Sequence, residues 1–299
     1  MLPRPLSLPI LAALLALTTA ATGSFMNCFI RIVTEEVHPF EVAFFRNLFG
    51  FLTILPFAFY RGLGTFRARR PGKLALAALI NLFSMLAFFS AVPLLPLNEL
   101  TALSFTQPLF QTAGAVLILG EAIRRWRWIG TLVGFLGVLV VVRPGTDAFS
   151  PASLLVLFGA CTYAGVSLVI KSVAATENSI TTVLYVSGLI GLMSLPIAAT
   201  VWTWPSLPAL LMMAAIGALG TTGWFAFAYA FKLADASALA PYDFMRLPFI
   251  AVPAYLFFAE VPDLWTWIGA AVIFGSSALV TRAESRRGSE AVAAETEPR

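Results

Sequence analysis

Two stretches of this chain carry polar side chains at helical spacing within otherwise apolar sequence. Asp243 and Arg246 are three residues apart, so on a helix they share a face and can neutralise each other. The positions 139 residues earlier hold Ser104 and Gln107, and Gln111 extends that polar face by one more turn. Both stretches predict a polar surface that binds a small-molecule substrate. The alternative is a structural role, in which Asp243 and Arg246 form an ion pair without touching a ligand.

A second pair of stretches combines polar, aromatic and very small residues. Asn81, Ser84 and Phe88 follow helical spacing, and the corresponding later stretch holds Trp224 beside two glycines. The missing side chains of the glycines would leave room for a ligand, on which Trp224 could stack. Membership of the interfacial aromatic belt is the alternative for Trp224. Tyr163, in a further apolar stretch, is another candidate substrate contact.

The residues for catalysis or metal binding are missing from these stretches. The chain has one histidine, His38, which excludes a site built from several histidines. No nucleophile and base stand in a recognisable motif. Cys28 and Cys161 both lie in apolar sequence and are predicted to be small core residues. We therefore predict no enzymatic activity, no metal and no cofactor.

The elements that position these side chains follow from composition. Of the 299 residues, 59% are hydrophobic and 11% are charged, whereas a soluble domain has about 25% charged residues. The net charge of +4 does not indicate a nucleic-acid partner, because the basic residues lie in short loops. Helices are expected because the backbone must satisfy its own hydrogen bonds in lipid. Apolar runs of about 20 residues predict ten transmembrane helices: Leu8–Cys28, Phe40–Tyr60, Leu74–Val92, Leu97–Leu119, Trp126–Val142, Ala152–Ile170, Ile180–Ala199, Leu207–Phe227, Ser237–Ala259 and Leu264–Val280.

One phrase occurs twice and sets the register of an internal repeat. The segment 121–130 and the segment 260–269 share Glu, Trp, Trp, Ile and Gly at matching positions. Helices 1–5 therefore correspond to helices 6–10, and because five is odd the second unit enters the membrane from the opposite side. The predicted fold is an all-α membrane protein with ten transmembrane helices, arranged as two inverted five-helix repeats. The repeats cover residues 1–145 and 146–283, and a disordered cytoplasmic tail follows over 284–299.

Orientation is predicted from the loop charges. With the N-terminus inside, the inner segments hold 15 of the 19 Lys and Arg residues, and the outer loops hold only Arg31 and Arg143. This asymmetry predicts a multi-pass protein of the bacterial inner membrane with both termini in the cytoplasm. The first apolar segment has features of a secretory signal, but its match to the sixth helix predicts a permanent helix.

Arg46 and the prolines are the remaining unusual features of the spans. Arg46 lies in the second helix and has no counterpart in the second repeat. We expect it to form a structural ion pair with Glu41, and contact with an anionic substrate group is the alternative.

Pro108 and Pro248 lie at nearly corresponding depths and permit kinks beside a binding site. Kinks without a role in gating are the alternative.

Together these features resemble the drug/metabolite transporter superfamily in its ten-helix form, built from two EamA units. The resemblance rests on the doubled five-helix pattern and on the segment 87–145, which ends in Arg143-Pro144-Gly145. The stretches 38–46 and 235–242 look like those of S-adenosylmethionine carriers. The resemblance implies a central cavity lined by helices 1, 3, 4, 6, 8 and 9.

The predicted function is secondary transport of amino acids or related small metabolites by alternating access around a midplane cavity. Export is the predicted direction. A carrier of S-adenosylmethionine, another nucleoside or a vitamin is the alternative within the same family. A membrane scaffold or sensor is the alternative of another class. The expected partners are a small-molecule substrate and the lipid bilayer, and the protein is either a monomer or a homodimer.

Overall fold

The computed structural model describes residues 8–107, 109–111, 113–114, 125–143, 150–173, 176–233 and 245–276. These residues form α-helices joined by short connections. We label the helices as follows: α1 Leu8–Val33, α2 Pro39–Arg61, α3 Pro71–Ala91, α4 Leu97–Ser104, α5 Arg125–Val142, α6 Ala152–Val173, α7 Ser179–Ala199, α8 Leu207–Leu233, α9 Arg246–Phe258 and α10 Leu264–Ser276. The prediction of an all-helical membrane protein is confirmed. Glu121, Asp243 and the predicted tail lie outside the described residues.

The helices begin and end at residues whose chemistry suits those positions. The α2 helix has Pro39 in its first turn, and the His38 ring accepts a hydrogen bond from the Phe40 amide. It ends at Gly62, whose φ of 96° suits glycine. Asn178 caps α7 by accepting a hydrogen bond from the Ile180 amide. Among the described residues, α2, α3, α6, α7 and α8 contain stretches long and apolar enough to cross a membrane.

Packing between the two units repeats itself when the units are exchanged. The α1 helix packs along α8, and its counterpart α6 packs along α3. In the same way, α2 contacts α8 while α7 contacts α3, and α1 contacts α9 while α6 contacts α4. The α2 helix also packs against its own counterpart, α7. This pattern agrees with the two five-helix repeats and places α1, α3, α6 and α8 around the interior.

Helix 4, predicted as one span over Leu97–Leu119 in which Pro108 permits a kink, is interrupted. The α4 helix ends at Ser104, and the amides of Phe105 and Thr106 bond to carbonyls only three residues back. Helical structure resumes at Gln107. The physical reason is in the sequence: residue 108 is proline, which has no N–H for the Ser104 carbonyl and would clash with it.

Helix 9 shows a related feature in the second unit. The α9 helix begins at Arg246, directly after a turn residue, Met245. Arg246 is the repeat counterpart of Gln107, which also begins a helical stretch after a turn. Corresponding polar residues therefore start helical stretches at the same position of both units.

Glycines allow α5 and α10 to approach closely. A Cβ atom added to Gly269 of α10 would lie 2.8 Å from the Gly137 carbonyl oxygen, and one added to Gly137 would lie 3.0 Å from the Gly269 oxygen. These distances are shorter than van der Waals contact, so the two backbones touch at this point. Close approach through small residues is a common way to pack helices in lipid.

Replacing Gly269 with alanine should therefore destabilise the protein. Because the added methyl group would overlap the backbone of α5, we expect Gly269→Ala to lower the free energy of unfolding by about 1–3 kcal/mol. Gly275→Ala is a matched control on the same helix, since no heavy atom lies within 4 Å of a Cβ added there. Thermal unfolding of the detergent-purified variants measures the difference. Equal melting temperatures of the two variants would contradict the proposed contact.

Candidate functional site

A positive charge lies among the interior helices of the bundle. Arg46 is on α2, about 10 Å along the helix from its N-terminal end. Its Nη1 atom lies 3.8 Å from the Met85 sulfur of α3. A Cβ added to Gly220 of α8 would lie 3.3 Å from its Nη2 atom and equally close to the Met26 sulfur of α1. Tyr163 of α6 lies within electrostatic range of the guanidinium. The group is therefore surrounded by α1, α3, α6 and α8.

The predicted ion pair between Arg46 and Glu41 is wrong. The Glu41 Oε1 atom accepts hydrogen bonds from the Thr203 amide at 3.0 Å and from the Thr203 hydroxyl at 3.2 Å. Within the described residues, the carboxylates in ion pairs belong to Glu260 and Asp263, and their partners are Arg31 and Arg143. Glu41 and Arg46 are five residues apart, so they lie on different faces of α2.

The contacts of the Arg46 guanidinium compensate only weakly for its removal from water. A thioether sulfur is a poor hydrogen-bond acceptor, and the Met85 sulfur also receives a bond from Asn47 Nδ2 at 3.1 Å. The Arg46 Nε atom is enclosed without any hydrogen-bond acceptor, whereas the side chain as a whole retains partial accessibility. An arginine at membrane depth costs about 2.5–3.5 kcal/mol even on insertion scales. Such a group indicates a binding site.

Asn27 of α1 adds a second unsatisfied group. Its Oδ1 atom is buried and has no hydrogen-bond partner among the residues that the structure describes. Three residues earlier, the Ser24 hydroxyl donates to the Arg246 carbonyl at 3.2 Å, which holds α1 against the start of α9. Buried polar atoms are normally hydrogen-bonded. An acceptor on α1 and a cation on α2 therefore remain available for a polar ligand.

The predicted polar face of α3 is divided between packing and the interior. The Ser84 hydroxyl donates to the Gly159 carbonyl of α6 at 2.7 Å. A Cβ added to Gly159 would also lie 3.6 Å from Phe88 Cβ, so Phe88 borders the same contact. Asn81 is partly buried and lies one helical turn before Met85, the neighbour of Arg46. Ser84 and Phe88 thus hold α3 against α6, and Asn81 is the α3 residue placed to reach the interior.

The aromatic candidates occupy two different places. Tyr163 is partly buried on α6, within range of Arg46. Trp224 packs against a smaller apolar cluster that includes Ile54 and Leu184 of α2 and α7. A Cβ added to Gly223 would lie 2.7 Å from the Thr22 hydroxyl, so this glycine serves close packing of α8 against α1.

The candidates on helices 4 and 9 lie at the interruptions described above. The Ser104 hydroxyl donates to the Leu100 carbonyl at 2.8 Å, which satisfies it within its own helix. Gln107 and Gln111 are partly buried after the turn. Arg246 is partly buried at the start of α9, and Asp243 lies outside the described residues.

Acidic side chains close one end of the bundle. We call the end that holds the α1–α2, α3–α4 and α9–α10 connections the outer end, after the predicted orientation. There Arg31 of the first unit forms a 2.6 Å ion pair with Glu260 of the second. Arg31 also donates to the Leu95 carbonyl, and Glu260 accepts from the Leu97 amide, both at 2.8 Å. The guanidinium lies 4.8 Å from the ring centre of Phe258. This network joins the units around the end of α1.

Other acidic residues also join the units at the outer end. These contacts pair Glu36 with Ser206, Glu41 with Thr203, Glu99 with Ser153, and Asp263 with Arg143.

Partial burial would raise the pKa of Asp263. Hydrogen bonds from Thr266 and the nearby Arg143 charge outweigh this effect, so the pKa lies below its ordinary value. Asp263 is therefore a carboxylate at neutral pH, and the Arg143 contact weakens only as the pH falls through that lowered pKa.

A separate open cavity of about 340 Å³ lies among the connections at the opposite end. Its lining includes Arg61, Arg67 and Arg69 from the first unit and Glu177 from the second. Arg61 ends α2, and Arg67, Arg69 and Glu177 lie in connections between helices, so the cavity belongs to the surface and not to the interior site.

Comparison with known proteins identifies the family. The sequence model of the EamA-like transporter family matches residues 10–143 and again residues 150–282. The chain belongs to the EamA-like transporter family. The match covers two EamA repeats, and the protein is a multi-pass membrane transporter.

Two named relatives and one solved structure are similar to most of this chain. The chain is 33% identical over 273 residues to an S-adenosylmethionine uptake transporter of Rickettsia felis, covering 91% of this chain and 92% of the relative. It is 30% identical over 251 residues to a riboflavin transporter of Rhizobium johnstonii, covering 83% and 82%. A solved structure titled "Crystal structure of protein" matches with a TM-score of 0.63 at 18% identity, covering 91% and 97%. That likeness supports the fold alone.

Sequence reasoning gave a substrate contact for Arg46 only as the alternative to a structural ion pair. The internal repeat drew attention to positions occupied by polar residues in both units, and Arg46 has no basic counterpart. A signal was nevertheless present, because a lone cation in an apolar span requires a partner or a ligand.

Ser84→Ala should affect stability more than substrate affinity. The serine hydroxyl bonds to the Gly159 carbonyl between two helices, and such bonds contribute about 0.6 kcal/mol on average and up to about 1.7 kcal/mol in membrane proteins. We expect the variant to melt at a lower temperature while it keeps the substrate affinity of the wild type. Asn81→Ala, one turn away and without an interhelical bond, should show the opposite pattern. A loss of affinity in Ser84→Ala at unchanged stability would contradict this assignment.

Breaking the Arg31–Glu260 pair should open the outer end. Cys28 is fully buried one turn before Arg31, and Cys161→Ser leaves it as the sole thiol of the chain. In that background we expect Glu260→Ala to speed Cys28 labelling by a water-soluble maleimide at least tenfold. That factor corresponds to about 1.4 kcal/mol in the opening equilibrium. Glu36→Ala, which removes an exposed contact at the same end, is the control. Equal labelling rates in the two variants would rule out a closing role for Glu260.

Proposed function

We propose that this chain is a secondary transporter of S-adenosylmethionine or a closely related metabolite. The observation that carries the proposal is the 33% identity to an S-adenosylmethionine uptake transporter over nearly the whole length of both chains. The similarity covers both units, so it includes the helices on both sides of the interior. Uptake into the cell is the direction suggested by this relative.

The chemistry of the interior supports a substrate with both polar and flat aromatic parts. Arg46 and Asn27 offer a cation and an acceptor. The face of Tyr163 can stack on an adenine ring or accept a sulfonium cation. A free amino acid would use the polar groups but leave the aromatic surface without a partner. Export of amino acids, the first expectation from the sequence, therefore has less support than the S-adenosylmethionine alternative.

Riboflavin is the second candidate, since a riboflavin transporter is also 30% identical over most of its length. Its flat ring system would use the same aromatic surface. The two candidates differ in charge, because S-adenosylmethionine carries a carboxylate, an ammonium and a sulfonium group, whereas riboflavin carries none of these.

The mechanism we propose is alternating access between the two units. The substrate would bind among α1, α3, α6 and α8, with Gln107, Gln111 and Arg246 at the helix interruptions as further contacts. The contacts at the outer end, led by Arg31–Glu260, join one unit to the other. They must therefore separate when the site opens to the outside. The two units would be inverted in the bacterial inner membrane, with both termini in the cytoplasm.

Transport by the purified protein in liposomes tests the proposal. We expect saturable uptake of labelled S-adenosylmethionine that unlabelled S-adenosylmethionine inhibits and that protein-free liposomes lack. Liposomes preloaded with unlabelled substrate distinguish exchange from net uptake. Riboflavin uptake without S-adenosylmethionine uptake would favour the second candidate. Uptake of amino acids alone would restore the first expectation, and no flux of any compound would favour a scaffold or sensor.

A further inference from the structure

The Arg46 guanidinium has hydrogen-bonding capacity that the described residues leave unused. Within this part of the chain, Nη1 lies near the Met85 sulfur as its one acceptor, and Nε is enclosed without an acceptor. No hydrogen bond to Nη2 comes from the described residues, although a glycine, Gly220, faces that atom from α8. Any larger residue at position 220 would crowd the guanidinium and Met26. The donors are therefore held in place by packing, and the described residues do not supply a strong acceptor for them.

The sign and shape of the group restrict what that acceptor can be. A guanidinium presents two parallel N–H donors that match the two oxygens of a carboxylate. Among the described residues, the groups near Arg46 are the sulfurs of Met85 and Met26 and the side chain of Tyr163. None of these groups is a carboxylate, so the paired donors suit a planar carboxylate on a ligand.

The geometry points to Arg46 as the residue that binds the substrate carboxylate, and hence as the residue that selects metabolites with an α-amino-acid end over uncharged flavins. This inference rests on the proposed function and adds a selectivity determinant to it. It also explains why the cation is kept in an apolar bundle where no described residue provides a carboxylate partner. The carboxylate enters and leaves with the substrate, so a permanent partner would compete with it.

Binding measurements with a matched pair of ligands test the inference. S-adenosylmethionine and its decarboxylated analogue share the adenosine, the sulfonium and the amine, and differ only in the carboxylate. We expect the wild type to bind S-adenosylmethionine about ten- to a hundredfold more tightly than the analogue, the range for one charge-assisted contact. Arg46→Gln should lose that preference and bind the analogue as the wild type does. Arg46→Lys should retain part of the preference, because it keeps the charge but not the paired donors.

Two controls separate a ligand-binding role from a structural one. Arg61→Gln makes the same charge change at the exposed end of the same helix and should leave the preference intact. Thermal unfolding without ligand provides the second control. Removing a charge that has no carboxylate partner in the described part of the chain should leave the melting temperature of Arg46→Gln unchanged or raise it. A clear loss of stability would indicate an internal ion pair and would overturn the inference.

The remaining outcomes distinguish this inference from the proposed function. Equal binding of the two ligands by the wild type would overturn the role of Arg46 while the proposed transport of S-adenosylmethionine stands. A preference that persists in Arg46→Gln would have the same meaning. Binding of riboflavin with no binding of either ligand would overturn both. A preference that is present in the wild type, lost in Arg46→Gln and kept in Arg61→Gln supports both.

Discussion

The structure depends on one constraint, which is that a charge inside an apolar helix bundle must be neutralised or used. Only 11% of the residues are charged, and two of the described cations show how such charges are accommodated. Arg31 and Arg143 are the two cations predicted for the outer loops, and both form ion pairs with acidic residues of the second unit. These ion pairs join the two units at the outer end. The charged groups that are costly to bury therefore also hold the units together at that end.

The same low polarity explains the helix geometry. In lipid the backbone satisfies its own hydrogen bonds, and an interruption persists only where protein surrounds it. The turn at Phe105 and Thr106 and the start of α9 at Arg246 occupy corresponding positions in the two units. Glycines supply the close contacts between helices, as at Gly137 and Gly269. The scaffold is thus repetitive, and each half supports the other through equivalent contacts.

The candidate site departs from that repetition. Arg46 is in the first unit and has no basic counterpart in the second, where Ser187 lies close to the matching position. A symmetrical pocket would suit a symmetrical ligand, whereas a metabolite with a charged end and a flat aromatic end requires different groups on its two sides. The cation of Arg46 with its sulfur neighbours and the aromatic ring of Tyr163 differ in this way. Duplication therefore accounts for the framework, and the unpaired arginine accounts for the specificity we infer.

Much of the fold could be predicted from the sequence, because apolar length, loop charge and an internal repeat are properties of the chain itself. The ten-helix architecture, the two units and the close packing at glycines follow from these properties.

The site was less predictable, since it depends on which face of a helix meets which neighbour. Ser84 was expected to contact substrate, but α6 approaches that face and the hydroxyl bonds to Gly159. Arg46 was paired with Glu41 from proximity in sequence, yet five residues on a helix lead to a different face, and Glu41 binds Thr203 instead. The sequence determined that a cation lies within the membrane. Only the tertiary structure decided that it lacks a carboxylate among the described residues, because the partners of a side chain come from other helices.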